Sequence, residues 1–298
     1  MSGSFGLDIA GIRIGLSSEG DLPIAAAGAA TKFVAEADDA EGPAQVRAQV
    51  RVNVRWGDPV EPGANDRIFD SGKGLWRLYR GGLGRRFVFT SSLLGPAPYQ
   101  LASFSPDFTE GEVVLRRGAF AGRLPVYPLQ YPLDELLVVH LLARGGGVAI
   151  HGSGLVDADG RATVFAGQSG AGKTTMARLW LGQPGVQVLS DERVVLRQEG
   201  GTIWMYGTPW HGDGRISNPG RAPLARICLL RHAPENQMRP LTASQAVARL
   251  FACCFPPFHD AGGLEAVLAT LEQIAARCAC VELGFVPDAS APAFVRAN

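Results

Sequence analysis

A run of small residues closes on one lysine and two threonines: Gly167-Gln168-Ser169-Gly170-Ala171-Gly172-Lys173-Thr174-Thr175. The spacing is G-x-x-x-x-G-K-T, the pattern of a phosphate-binding loop. Each residue type has a physical reason to be there. Glycines let the backbone turn tightly and approach an anion closely, and successive backbone N–H groups then form a concave anion nest. A helix that starts at the loop points its positive end at the phosphates. Lys173 has the reach for the β- and γ-phosphates of ATP, and the Thr174 hydroxyl can ligate Mg²⁺. Lysine occurs elsewhere only at 32 and 73, so Lys173 stands out chemically.

Binding phosphate is not transferring it. Transfer needs a carboxylate on the Mg²⁺ side and a group that orients or deprotonates the acceptor. Asp191 and Glu192 stand at the end of the apolar run Val186-Gln187-Val188-Leu189. Adjacent acids at a strand end point to different sides, so one can hold the metal while the other faces an acceptor hydroxyl. Spacing alone leaves an ordinary acidic turn as the competing reading. His151 can lie beside the loop, to contact phosphate or tune an acid, or it can satisfy backbone groups at a strand end. His211, in the stretch 207–214, can cover a bound ligand or belong to a structural loop.

The loop needs a strand before it and a helix after it, and the sequence supplies both. Residues 162–166 are short, apolar and β-prone, and residues 175–181 contain no Pro or Gly. An Asp-Gly turn at 157–160 joins residues 148–156 to that strand, which predicts a β-hairpin carrying His151 back to the loop. Residues 194–197 and 202–206 predict a second hairpin across Gly200-Gly201, and residues 227–230 and 281–285 two more strands. Helices are expected over 133–144, 244–252 and 263–278. The first 125 residues alternate apolar and polar in short runs, clearest over 48–56. Residues 76–80 and 86–90 predict a hairpin around 81–84. This half reads as a small antiparallel β-rich accessory or recognition domain, residues 1–125, whose strand charges form a solvated face. Pro125, Pro128 and Pro132 then mark the junction to a catalytic domain over 126–298.

Bulk composition narrows the classes. Of 298 residues, 46% are hydrophobic, enough for one large or two ordinary cores. Lys+Arg and Asp+Glu are 28 each, so no net field draws the chain to nucleic acid or an anionic membrane. Neither a signal peptide nor a membrane-spanning run is apparent, which predicts a cytoplasmic location. The five cysteines, at 228, 253, 254, 278 and 280, are expected as buried reduced thiols rather than disulfides or metal ligands. Homo-oligomerisation is left open.

Three motifs in order carry a resemblance. His151-Gly152-Ser153-Gly154-Leu155-Val156-Asp157, the loop 167–174, and Leu189-Ser190-Asp191-Glu192-Arg193-Val194 together resemble the catalytic domain of bacterial HPr kinase/phosphorylase, over about half of the chain. The nearest likeness is to the HPr kinase-related proteins of peptide-modification gene clusters. The resemblance implies an α/β fold: a mixed-sheet P-loop nucleotide domain of the HPr kinase and phosphoenolpyruvate carboxykinase C-terminal type. It also implies that His151 lies in the active site, that Asp191 is the base on an acceptor serine, and that Glu192 is on the metal side. Two positions depart from the family pattern: Glu192 replaces a second aspartate, and Trp204-Met205-Tyr206-Gly207 replaces a signature with a metal-side Glu. The expectation is an ATP-dependent, Mg²⁺-requiring kinase acting on a peptide or protein hydroxyl. A kinase of small hydroxy compounds and a non-catalytic ATP-binding scaffold are the alternatives.

Overall fold

The structure, a computed structural model, describes residues 3–35, 49–72, 75–82 and 84–298. Ala48, Lys73 and Leu83, which the sequence reading placed in a strand, among the lysines and in a hairpin turn, lie outside the described residues. The chain is mixed α/β and divides into two compact units, Met1–Val138 and Val139–Asn298.

The first unit is built on nine strands: β1 Ser4–Ile9, β2 Ile12–Ser18, β3 Val34–Ala35, β4 Val50–Trp56, β5 Arg67–Asp70, β6 Trp76–Gly81, β7 Gly84–Phe89, β8 Gln100–Phe104 and β9 Glu110–Leu115. They form one sheet in the order β3-β1-β2-β4-β9-β8-β7-β6-β5. The expected antiparallel sheet is corrected here, because β4 lies parallel to both β2 and β9. Parallel neighbours need long connections; β4 follows β2 only after residues 19–49, and four strands intervene before β9. The predicted hairpin is present as β6–β7. In β4, Val50, Val52 and Val54 are buried while the residues between them face outward. Arg51 and Arg55 there pair with Glu110 and Glu112 on β9, as a solvated sheet face would have it.

Helix α1 (Leu133–Leu142) leads into the second unit. There the strands are β10 Val148–Val156, β11 Ala162–Ala166, β12 Gln187–Ser190, β13 Arg193–Glu199, β14 Thr202–Tyr206, β15 Arg221–His232, β16 Gln237–Pro240 and β17 Ala279–Phe285. The helices are α2 Lys173–Trp180, α3 Ala243–Phe251, α4 Ala261–Arg277 and α5 Ser290–Ala297. Both predicted hairpins are present, β10–β11 and β13–β14, each antiparallel.

The pairings close a ring. β10 meets β13 with its first half and β11 with its second. β15 meets β14 with its first residues and lies parallel to β11 with the rest. Beyond the ring, β17 runs parallel to β15 and β12 pairs with the end of β10. β11 is therefore covered on both sides, and all five of its residues are buried. Its alternation sorts the core. Ala162, Val164 and Ala166 join a cluster with Leu250 of α3 and Leu271 and Ile274 of α4. Phe165 packs on the opposite side with Met176, Ala177 and Trp180 of α2 and Val295 of α5. Helices thus cover both faces, and β11 runs its C-terminal end straight into the 167–172 loop. No helix among the described residues is long and apolar enough to cross a membrane.

Candidate functional site

The loop leaves β11 and ends at the first residue of α2. Gly170 and Gly172 take left-handed conformations, with φ of 81° and 99°, which L side chains adopt only at a cost. Gly172 caps α2, and a Cβ on it would come within 2.6 Å of the Phe285 ring. α2 itself is anchored by its buried positions 176, 177 and 180, the spacing of one helical face. Lys173 is only 5% exposed, and its Nζ donates to the Gln168 carbonyl at 3.0 Å. Burial lowers the Lys173 pKa, and the nearby Glu192 carboxylate pushes it back up.

One cavity of about 380 Å³ faces this loop. Its loop-side wall is Ser169, Gly170, Gly172, Lys173, Thr174 and Thr175. The rest of the lining is His151, Glu192, Gly212, Asp213 and His232, the last held against the loop itself by its hydrogen bond to the Gly170 carbonyl. Gly167 turns tightly enough that a Cβ on it would come within 2.6 Å of the Ala171 methyl, and its N–H donates to the His151 carbonyl.

His151 comes in on β10 as the hairpin requires. Its Nε2 lies 2.9 Å from Glu192 Oε1, and its own N–H donates to the Cys253 carbonyl. The ring sits beside Phe255, which also carries the Arg193 guanidinium over its face at 4.8 Å. Burial lowers the His151 pKa, the Lys173 charge adds to that, and Glu192 opposes both.

The two adjacent acids part company. Glu192 lines the cavity. Asp191 is 0% exposed and lies outside the cavity wall. Its Oδ1 accepts from the N–H groups of Gly212 (3.2 Å) and Ile216 (3.3 Å), and its Oδ2 from Gly214 (2.7 Å). Gly212 and Gly214 are there because nothing larger fits; a Cβ on Gly214 would collide with the Asp191 carboxylate. The loop that wraps Asp191 is pinched at its base, where the Gly207 N–H donates to the Gly220 carbonyl. It is tied to β12 through the Asn218 N–H to the Leu189 carbonyl, and to β13 through the Thr208 hydroxyl to the Arg193 carbonyl.

The structure brings His151, Lys173, Thr174, Thr175 and Glu192 together, and keeps Asp191 one residue behind the wall. His211 is exposed, with Nδ1 3.0 Å from the Gly212 carbonyl, and is not among the lining residues. The sequence reading missed Asp213 and His232. His232 is the last residue of β15, and the carboxyl ends of strands beside such a loop are where ligands gather; that position was the available signal. All five cysteines are free, and no group of three or more metal-ligating side chains of the His, Cys, Asp and Glu types occurs among the described residues.

Chemically, the cavity pairs an anion-accepting wall with an acidic one. A polyphosphate on the loop would face Glu192 and Asp213, and a cation between them would remove the repulsion. The oxygen donors available for it, the Thr174 hydroxyl and the Glu192 carboxylate, suit Mg²⁺ rather than a soft metal. No family model matches the sequence, and comparison with curated proteins finds no significant relative.

Proposed function

We propose that this chain is an ATP-dependent, Mg²⁺-requiring kinase of the HPr kinase-like type that phosphorylates a hydroxyl, a serine of a peptide or protein. The observation that carries the reading is a cavity shared by Lys173 and Thr174, at the head of α2, with Glu192 and His151. The loop N–H groups and Lys173 hold the phosphates; His151 orients the Glu192 carboxylate through their 2.9 Å hydrogen bond. Thr174 and Glu192 would hold Mg²⁺, which would supply the charge neutralisation that phosphoryl transfer needs. The acceptor oxygen bonds to the γ-phosphorus as the bond to the β–γ bridging oxygen breaks, and Asp191 takes the acceptor proton. Asp191 reaches an acceptor only when the 212–216 loop releases its carboxylate, so acceptor binding and loop release are one event in this reading.

A second reading, an ATP-binding regulator without transfer, draws on that same engaged Asp191. One assay separates the two. Labelled ATP is offered with peptides encoded by neighbouring genes and with small hydroxy compounds. The kinase reading expects acceptor-dependent label transfer that Asp191→Asn and Lys173→Met both abolish. Tight Mg·ATP binding with no transfer to any acceptor establishes the regulator instead.

A further inference from the structure

β11 has different neighbours on its two sides, and they carry different chemistry to the two flanks of the loop. On the β10 side stand His151 and, from the corner between β12 and β13, Glu192. On the β15 side stands His232. Its Nε2–H donates to the Gly170 carbonyl at 2.8 Å, and its ring stacks on Phe285 with the planes 26° apart and the centroids 6.4 Å apart. Phe285 is itself buried and lies beneath Gly172. The neighbouring cation, Arg231, is turned to Glu282. His232 is therefore an exposed ring, held by one hydrogen bond and one aromatic neighbour, at the rim of the cavity it lines.

The two flanks suit the two ends of a nucleotide. A carboxylate bonded to a histidine can manage charge at a reacting phosphate, and the His151 ring there is half-buried beside Phe255, whereas the His232 ring is exposed. A fixed aromatic ring can stack a planar base and makes no demand on the terminal phosphate. Because the ring is already immobilised, little side-chain entropy remains to be lost on binding. We propose that His232 is the platform for the nucleobase, so that the nucleotide lies across the loop with its terminal phosphate toward Glu192 and His151 and its base on His232. The assignment rests on the cavity being a nucleoside triphosphate site. Stacking tolerates any base, so His232 supplies affinity for ATP and GTP alike.

The test compares ligands with and without a base on the full chain. ATP and inorganic tripolyphosphate are titrated calorimetrically, with Mg²⁺, against the wild type, His232→Ala and His232→Phe. The expected result is tighter wild-type binding of ATP than of tripolyphosphate, and an approximately tenfold loss of ATP affinity in His232→Ala, from the usual strength of base–aromatic stacking. Tripolyphosphate binding stays unchanged in that variant, and His232→Phe keeps most of the ATP affinity because the ring remains. Equal losses for ATP and tripolyphosphate in His232→Ala overturn the proposal, since the residue would then act only by steadying Gly170. So does unchanged ATP binding. A wild type that binds tripolyphosphate with no preference for ATP overturns the base platform alone; a wild type that binds neither removes the nucleotide reading and the platform together.

Discussion

Replacing Asp191 by Asn changes almost no volume and should still cost the second unit much of its stability. The carboxylate is fully buried and accepts three backbone N–H groups, from Gly212, Gly214 and Ile216. Bonds to a charged acceptor contribute about 1.5–3 kcal/mol each. An amide presents an acceptor on one side only. With its oxygen toward Gly212 and Ile216, its NH₂ meets the Gly214 N–H, donor against donor; flipped, it keeps one bond and opposes two donors. The first arrangement loses one charge-assisted bond, weakens two and strands a donor, which costs about 1–3 kcal/mol by itself. The loop is half exposed around Gly212 and Gly214 and can move part of the strain into solvent. The balance is a loss of about 3 kcal/mol, or a melting point lower by roughly 6–12 °C for a unit of this size. Urea unfolding followed by near-UV circular dichroism measures the first figure. Native-state hydrogen exchange gives a local check, because the amides of 212, 214 and 216 should be protected in the wild type and fast in the variant. A variant with the wild-type urea midpoint and unaltered protection at those three amides would refute the reasoning.

Gly172→Ala should abolish tripolyphosphate binding and destabilise by about 2–4 kcal/mol, from the left-handed backbone at φ 99° and overpacking against Phe285. Gly182→Ala, at φ 78° with open space around it, is the control and should cost only about 1–2 kcal/mol with binding intact. Alkaline pH should weaken the second unit. Burial pushes the Cys228 and Cys254 thiols up to about 12, from 9.0; the Arg226 charge offsets a little of this at Cys228, and Cys253 adds to it at Cys254. A raised pKa means the folded state holds the proton longer, so this stability is complete below pH 9 and is lost as pH climbs from there toward 12. Each thiol then contributes a slope of about 1.4 kcal/mol per pH unit. Urea midpoints between pH 8 and 10.5 should fall accordingly, and less steeply in Cys228→Ala; a flat profile in the wild type would remove the argument.

What the sequence made legible was whatever local chemistry determines by itself. The β10–β11 hairpin was readable because two β-prone runs flank an Asp-Gly turn, and the loop because its glycines and lysine have fixed spacing. Closure of the ring was not readable. It depends on β15 pairing first with β14 and then with β11, and nothing in Arg221-Ala222-Pro223-Leu224 marks the exchange of partners. The parallel placement of β4 between β2 and β9 was hidden for the same reason, since a period-2 pattern specifies which residues face inward but not which strand lies alongside.

Asp191 and Glu192 show where that limit reaches the site itself. The two acids occupy the bend between β12 and β13 rather than a strand, so strand alternation does not decide which of them faces the loop, and the sequence alone left an acidic turn open as well. The decision comes from residues far along the chain. Ser190 bridges to Ser217, the Asn218 N–H closes on the Leu189 carbonyl, and the Asp191 N–H on the Ile216 carbonyl. Those three ties fix the direction of the strand end, turn Asp191 into the returning loop and leave Glu192 on the cavity with His151. The family resemblance assigns the acceptor proton to the first acid of the pair, whereas the hydrogen bonds place that acid under a lid of three N–H groups. Under the proposed kinase reading the two agree only if the 212–216 loop opens when an acceptor binds. Exchange at the Gly214 amide should therefore accelerate when an acceptor is bound, and an acceptor that is phosphorylated while that amide stays protected would shift the base to Glu192.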